Sequence, residues 1–272
     1  MFPNGIVGER ISTKIADLLR DRKFRGKLRL LEAITPATGH RTCTVFGCRM
    51  RLDLAEYNQR RAYFGCHEEA EIRMLRKRLQ PGMVVVDVGA NLGYHTALFA
   101  SAVGKDGMVL SVEPAPPVFA RLKAMVDENH LSQVRILNAA LSDKRGELQL
   151  NVLSPSSNFS STAAPLPGGD AFMVPAMMLD DVLDEAGIQS VDLLKLDAMG
   201  HEPFILRGAR RSLMQRRIKA VHCEFYGWWL QQQGESVESL WELLVDAGFV
   251  DRSGQPPPLP DSTTIRILEL AS

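Results

Sequence analysis

The feature that most constrains this chain is the apolar run Met83-Val84-Val85-Val86-Asp87-Val88 followed by the turn Gly89-Ala90-Asn91-Leu92-Gly93. The run is short, rich in β-branched residues and broken only by one acid. Such a segment fits a strand covered on both faces, as in a parallel sheet. The pattern then alternates. A helical stretch over 94–103 leads to a strand over 108–113 that ends in Glu113, a helix over 117–129 and a strand over 134–139. A short strand over 147–152, a helix over 179–186, a strand over 191–196, a helix over 202–214, a strand over 218–225 and a helix over 237–247 follow. Residues 248–251 and 263–270 read as a terminal antiparallel pair across Pro256-Pro257-Pro258. Alternating strands and helices predict an α/β fold, a Rossmann-like, mostly parallel sheet with helices on both faces.

The first 80 residues differ in character. They hold 17 Lys and Arg against 9 Asp and Glu, although the whole chain balances at 32 against 32. Apolar residues at helical spacing over 9–34, with Gly26 as a break, predict two helices, with Arg22, Lys23, Arg25 and Lys27 exposed. A short hairpin turning at Gly47 and helices over 54–64 and 68–79 complete this part. The expected organisation is a basic accessory region over 1–80 and a main domain over 81–272. Zero net charge argues against a nucleic-acid-coating protein. The basic front is either a solvated helical face or a surface for an anionic substrate or lipid headgroup. Cys43, Cys48, Cys66 and Cys223 show neither C-x-x-C nor zinc-finger spacing, so neither a metal site nor a disulfide framework is expected. Residues 82–104 contain Asp87, Asn91 and His95, which argues against a membrane span. A cytoplasmic location is the expectation.

The residues that carry chemistry cluster at strand ends, where open α/β sheets bind ligands. Gly89 and Gly93 allow close approach of backbone to a ligand. The helix after them offers free N–H groups to an anion such as a carboxylate. Asp87 can accept from a ligand ammonium, and Glu113 can bind both hydroxyls of a ribose. Together they read as a site for a nucleoside with an amino-acid-like arm. A dinucleotide is the competitor, but its fingerprint is G-x-G-x-x-G. Here Gly93 is followed by Tyr94 and His95, which would crowd a pyrophosphate.

Residues 84–96 resemble the first motif of class I S-adenosylmethionine-dependent methyltransferases. More narrowly, 87–96, Val112-Glu113-Pro114, Ala140-Leu141-Ser142-Asp143, Leu179-Asp180-Asp181 and the run from Leu194 to Glu202 follow in the order of the FkbM family. The resemblance implies a seven-stranded sheet, S-adenosylmethionine as cofactor and methyl transfer to a hydroxyl of a sugar, polyketide or lipid-linked glycan. Asp87, Gly89, Asn91, Gly93, Glu113 and Asn138 are then the expected cofactor residues. Asp197, His201 and Glu202 are the expected catalytic residues, with His201 the natural base by its ordinary pKa. One departure stands out: the family's acid after the fourth strand is replaced by Met199. A thioether neither accepts a proton usefully nor holds magnesium. A binding module that has lost catalysis is therefore one alternative, and a nicotinamide-linked oxidoreductase a weaker one. His222 and Glu224 alternate with Cys223, so the two should share a face, either lining the acceptor site or forming a buried structural pair. Trp228 and Trp229 either pack in the core or a surface lid or stack on a sugar, and the polar stretch 154–161 is either a substrate loop or disordered.

Overall fold

A computed structural model of the chain describes residues 14–15, 18–19, 22, 24–35, 38–152, 160–161, 169–250 and 264–270. Two compact units divide between residues 78 and 79.

In the first unit, helix α1 (Lys27–Ile34) starts at Gly26, whose φ is 83°. Strands β1 (His40–Val45) and β2 (Cys48–Asp53) pair antiparallel around Phe46 and Gly47, which both have positive φ. Those dihedral signs belong to the hairpin turn whose twist matches its strands. Burial alternates along the hairpin: Cys43, Val45, Cys48, Met50 and Leu52 are buried, while Thr44, Arg49 and Arg51 are exposed. Helices α2 (Tyr57–Tyr63) and α3 (Glu69–Arg76) follow. Arg22 and Arg25 are exposed as expected, but Lys27 is buried. Lys27 precedes Leu31 by one helical repeat, so its aliphatic stem lies on the same buried side. Leu18, counted in the apolar stripe, is exposed. Lys23 lies outside the described residues.

The second unit carries a seven-stranded sheet. Its strands are β3 (Val84–Val88), β4 (Met108–Val112), β5 (Val134–Leu137), β10 (Leu193–Leu196), β11 (Ala220–Phe225), β12 (Phe249–Val250) and β13 (Thr264–Leu270). They run in the order β12-β13-β11-β10-β3-β4-β5. β11, β10, β3, β4 and β5 are parallel neighbours, and β13 is antiparallel to β11 and β12. The chain winds outward in one direction through β4 and β5, then returns to β10 on the other side of β3. The carboxyl ends of β3 and β10 therefore flank the switch point where such sheets bind ligands. Val86, Val88, Leu110, Val112, Leu194, Leu196 and Val221 form the centre of the apolar core.

Helices α4 (Tyr94–Val103), α5 (Pro116–Glu128), α6 (Leu179–Glu185), α7 (Glu202–Arg207), α8 (Arg210–Met214), α9 (Gly227–Gln232) and α10 (Val237–Asp246) complete the layer architecture. A separate sheet joins β6 (Ala140–Leu141), β7 (Gly146–Val152), β8 (Ser160–Ser161) and β9 (Asp170–Met177) in the order β6-β9-β7-β8; of these only β7 meets a sequence expectation, the short strand over 147–152. Two other expectations change. The strand predicted over 134–139 stops at Leu137, because the Asn138 amide turns aside to donate to the carbonyls of Glu113 and Pro114. The helix predicted over 202–214 is two helices. A Cβ at Gly208 would overlap the Ser142 carbonyl oxygen, so the chain bends there against a neighbouring loop. The Asp180 carboxylate then accepts from the backbone N–H groups of Arg211 and Ser212 at the start of α8, both at 2.8 Å.

Candidate active site

The turn after β3 is held by the protein itself. Gly89, Asn91 and Gly93 all have positive φ. The N–H groups of Gly89 and Ala90 both donate to the Val112 carbonyl at 3.0 Å. A Cβ on Gly89 would overlap the backbone carbonyl oxygen of Asp197, and one on Gly93 the Met125 methyl and Leu122. The glycines are thus required by chain-to-chain contact, not only by room for a ligand. This contact also brings the turn after β3 against the residue that follows β10.

Glu113 sits at the end of β4 and is buried. Its two oxygens accept from Asn91 N–H and Ala115 N–H, each at 2.9 Å. Burial pushes its pKa up to about 7, against those two hydrogen bonds and the Lys195 charge. A carboxylate offers about four acceptor positions, so two remain for a diol. The Asn91 side chain accepts from Leu92 N–H and fixes the turn.

Asp87 is fully buried, and a row of polar side chains runs through it across the sheet. Ser111 pairs with Asp87, Asp87 with Lys195, and Lys195 with His222 in the strand register. All four are at most 2% exposed. Thr96 of α4 donates to Asp87 Oδ2 at 2.7 Å and lies 3.0 Å from Ser111 Oγ. Lys195 Nζ is 3.3 Å from Asp87 Oδ1 and 3.5 Å from Asp197 Oδ2. It also donates to the carbonyls of Val88 at 3.3 Å and Gly89 at 3.1 Å. Lys195 thus ties the ends of β3 and β10 together. The motif reading passed over it, although a lysine inside the buried run Leu193–Leu196 was the available signal.

The loop after β10 separates the three expected catalytic residues. The Asp197 side chain is 36% exposed. Glu202 is buried, its Oε1 accepts from Ala198 N–H at 2.6 Å, and burial pushes it up to about 7. His201 is buried too; its Nε2 lies 3.2 Å from Ser142 Oγ and its ring stacks on Phe204 with centroids 4.7 Å apart. Burial lowers His201 to about 4, so it is neutral at pH 7 and a weak base. Met199 and Gly200 both have positive φ. A Cβ on Gly200 would overlap the backbone of Trp229, which sets this loop on α9. Trp229 is buried, while Trp228 is exposed and meets it edge-on at 4.5 Å. Glu224 stands beside Asp197 on the neighbouring strand, and burial with the charges of Asp197 and Glu202 raises it well above the ordinary carboxylate range. Of the polar stretch over 154–161, all but the β8 backbone lies outside the described residues.

The family model of the methyltransferase FkbM domain matches residues 87–250, well over half of the chain. The chain belongs to the FkbM family of methyltransferases. Its relatives include the 31-O-demethyl-FK506 methyltransferase FkbM of Streptomyces tacrolimicus, 30% identical over 54% of this chain and 67% of that protein. The 2-O-methyltransferase NoeI of Sinorhizobium fredii is 25% identical over 61% of this chain and 72% of that protein. The hexuronic acid methyltransferase AglP of Haloferax volcanii is 24% identical over 54% of this chain and 58% of that protein. The chain spans from under a tenth to about seven tenths of the length of the curated relatives it matches.

The cofactor of this family is S-adenosylmethionine, and the residues present fit it. Glu113 retains acceptor positions for a ribose diol. The first turn of α4 follows a turn shaped by three positive-φ residues, where helix N–H groups meet a carboxylate. Asn138 holds the Glu113 loop in place. Counted from Gly89, Asn91 and Tyr94 stand where the dinucleotide fingerprint has its second and third glycines, so the nicotinamide alternative is set aside. Among the described residues, no helix is long and apolar enough to cross a membrane.

Proposed function

We propose that this protein is an S-adenosylmethionine-dependent O-methyltransferase acting on a hydroxyl of a sugar, glycan or other hydroxylated metabolite. The observation that carries the reading is the position of Asp197. Its backbone lies against Gly89 of the cofactor turn, and its carboxylate is the partly exposed acid beside the buried Asp87 and Glu202. An acceptor can reach it there. The names of NoeI, FkbM and AglP support oxygen as the acceptor atom and a sugar acid as one acceptor class.

The bound cofactor supplies an electrophilic methyl group. Glu113, Asn91 and Asn138 hold its nucleoside end; Asp87, Gly89 and Gly93 shape the turn at its amino-acid end. Asp197 meets the acceptor. Glu202 holds the loop from Ala198, and His201 braces it through Ser142. Positioning of this kind can supply much of the rate of an in-line displacement. We also assign peripheral contact with anionic lipid to the basic N-terminal region, supported by the exposed Arg22 and Arg25.

The test is transfer of radiolabelled methyl from S-adenosylmethionine to a panel of monosaccharides, uronic acids and other hydroxylated metabolites. The expected product carries label that survives mild alkali, as a methyl ether does. Label found only in alkali-labile methyl esters would move the acceptor from a hydroxyl to a carboxylate. No transfer to any acceptor, with cofactor binding intact, would favour the binding-module reading.

A further inference from the structure

The carboxyl edge of the sheet holds one cluster whose chemistry is not explained by binding the cofactor. Leu196 of β10 pairs with Cys223 of β11, so Asp197 and Glu224 lie side by side at the same edge. In-register neighbours on adjacent strands present their side chains on one face, so the charge of Asp197 raises the proton affinity of Glu224. Ionised carboxylates only accept, so two that face each other gain from a proton held between them. Like charges this close rarely ionise together.

The surroundings of the pair are defined on each side. Lys195 Nζ stands 3.5 Å from Asp197. Glu202, from α7, adds negative charge to Glu224. His222 lies two residues before Glu224 on the same face of β11 and is buried. On β13 the residue opposite Glu224 is the apolar Ile265. Burial, with the charges of Asp197 and Glu202, holds Glu224 well above the ordinary carboxylate range, and Lys195 opposes this. The other acids of the site are engaged differently. Asp87 is bonded to Thr96 and paired with Lys195, Glu113 is bonded to Asn91 and Ala115, and Glu202 to Ala198. The loop after β10 carries the thioether Met199 between Asp197 and Glu202, and the adjacent strand presents the acid Glu224.

We propose that Asp197 and Glu224 act as one proton-holding pair and that Glu224 is a catalytic residue that takes the proton of the acceptor hydroxyl. The proposal rests on the O-methyl transfer reading above. In the step, a lone pair of the hydroxyl oxygen forms the new O–CH3 bond. The S–CH3 bond breaks and its electron pair stays on sulfur, leaving a neutral thioether. The hydroxyl proton passes to the pair, which must therefore begin fully ionised. A cation at the cofactor turn, added to Lys195, favours that ionisation, because Gly89 lies against Asp197. Binding of the sulfonium cofactor should therefore expel the shared proton.

The test is calorimetric and needs no acceptor. Binding of S-adenosylmethionine and of S-adenosylhomocysteine is measured near pH 7 in buffers of different ionisation enthalpy, which counts protons released. The two ligands share their adenosine and amino-acid parts, so Glu113 contributes equally to both. The wild-type protein should release more protons with the sulfonium than with the thioether. Glu224→Gln and Asp197→Asn should abolish the difference, and Glu224→Asp should retain part of it. An equal difference in wild type and Glu224→Gln, or no difference in wild type, overturns the proposal. If Glu224→Gln does not fold, the wild-type and Asp197→Asn measurements decide. Once an acceptor is in hand, Glu224→Gln should cut kcat by about 10²–10⁴ with the KM for S-adenosylmethionine little changed. It should also remove the rise of rate with pH. Failure to find a hydroxyl acceptor leaves the proton count standing, so the two readings fail separately.

Discussion

At the edge formed by β3 and β4, each carboxylate is answered by a donor; at the edge formed by β10 and β11, two carboxylates answer each other. Asp87 is bonded to Thr96 and paired with Lys195, and Glu113 to two backbone N–H groups. Asp197 and Glu224 lie side by side by strand register, and Asp197 partly opens to solvent. The first arrangement fixes a shape, because each buried acid is compensated in place. The second, on the proposal above, holds a proton at a position an acceptor can reach. Lys195 belongs to both, and joins them.

That junction gives the largest expected effect. Lys195→Met should leave Asp87 buried without its cation, and breaking a buried pair from one side costs about 3–5 kcal/mol. Urea denaturation should show the loss, and Lys195→Met with Asp87→Asn should recover much of it. If the double variant is no more stable than the single one, the row is not an electrostatic unit. Gly89→Ala comes next. Overpacking costs about 1–3 kcal/mol, and a left-handed alanine about 1–2 kcal/mol more. A native-like unfolding midpoint would mean that the Asp197 carbonyl moves freely and the two edges are not locked.

Stability against pH separates the groups further. Glu113 and Glu202 are raised to about 7 when folded, and a free glutamate titrates near ~4.3. The native state then binds more protons than the unfolded one between those values. Their contribution to stability is fullest in acid and falls as pH rises toward about 7. His201, lowered to about 4, acts oppositely. Its contribution is full above the unfolded value of ~6.5 and is lost as pH falls toward about 4. His201→Asn should therefore lose less stability than wild type on acidification from neutral pH. It should also keep turnover within about tenfold, since a base would cost about 10²–10⁴. A larger loss with unchanged cofactor affinity would restore His201 as the base.

The contrast between the two edges also explains what the sequence reveals. Asp87, Gly89, Gly93 and Glu113 are legible because a strand, a tight turn and a terminal acid are local patterns. The mostly parallel sheet follows from the same alternation, its seven strands from the FkbM resemblance, and both hold. The second sheet is not legible, because β9 contains Pro175 and pairs with β7 across a long polar stretch. The break at Asn138 depends on carbonyls 24 and 25 residues away, and that at Gly208 on the distant Ser142 carbonyl. Likewise, Lys195 reads as an anomaly in an apolar run until the register places Asp87 beside it. His201 reads as a base until packing on Phe204 and burial are known.

The smallest effect concerns the basic front. Arg22→Glu with Arg25→Glu should leave methyl transfer to a small acceptor unchanged. It should weaken binding to anionic vesicles, which should itself decline as salt rises. Equal binding of wild type to neutral and anionic vesicles would leave only a solvated face.

The central claim is that the two edges divide the work, one binding the cofactor and the other serving the acceptor. Crossed measurement of Glu113→Ala and Asp197→Asn tests it directly, with Kd for S-adenosylhomocysteine from calorimetry and the single-turnover rate at saturating cofactor. Glu113→Ala should weaken binding by about 1.5–3 kcal/mol, as for hydrogen bonds to a charged group, with the saturated rate nearly kept. Asp197→Asn should leave Kd near native and slow the saturated rate by about 10²-fold or more. If Asp197→Asn loses affinity while keeping its rate, or Glu113→Ala does the reverse of its prediction, the division between the edges is wrong.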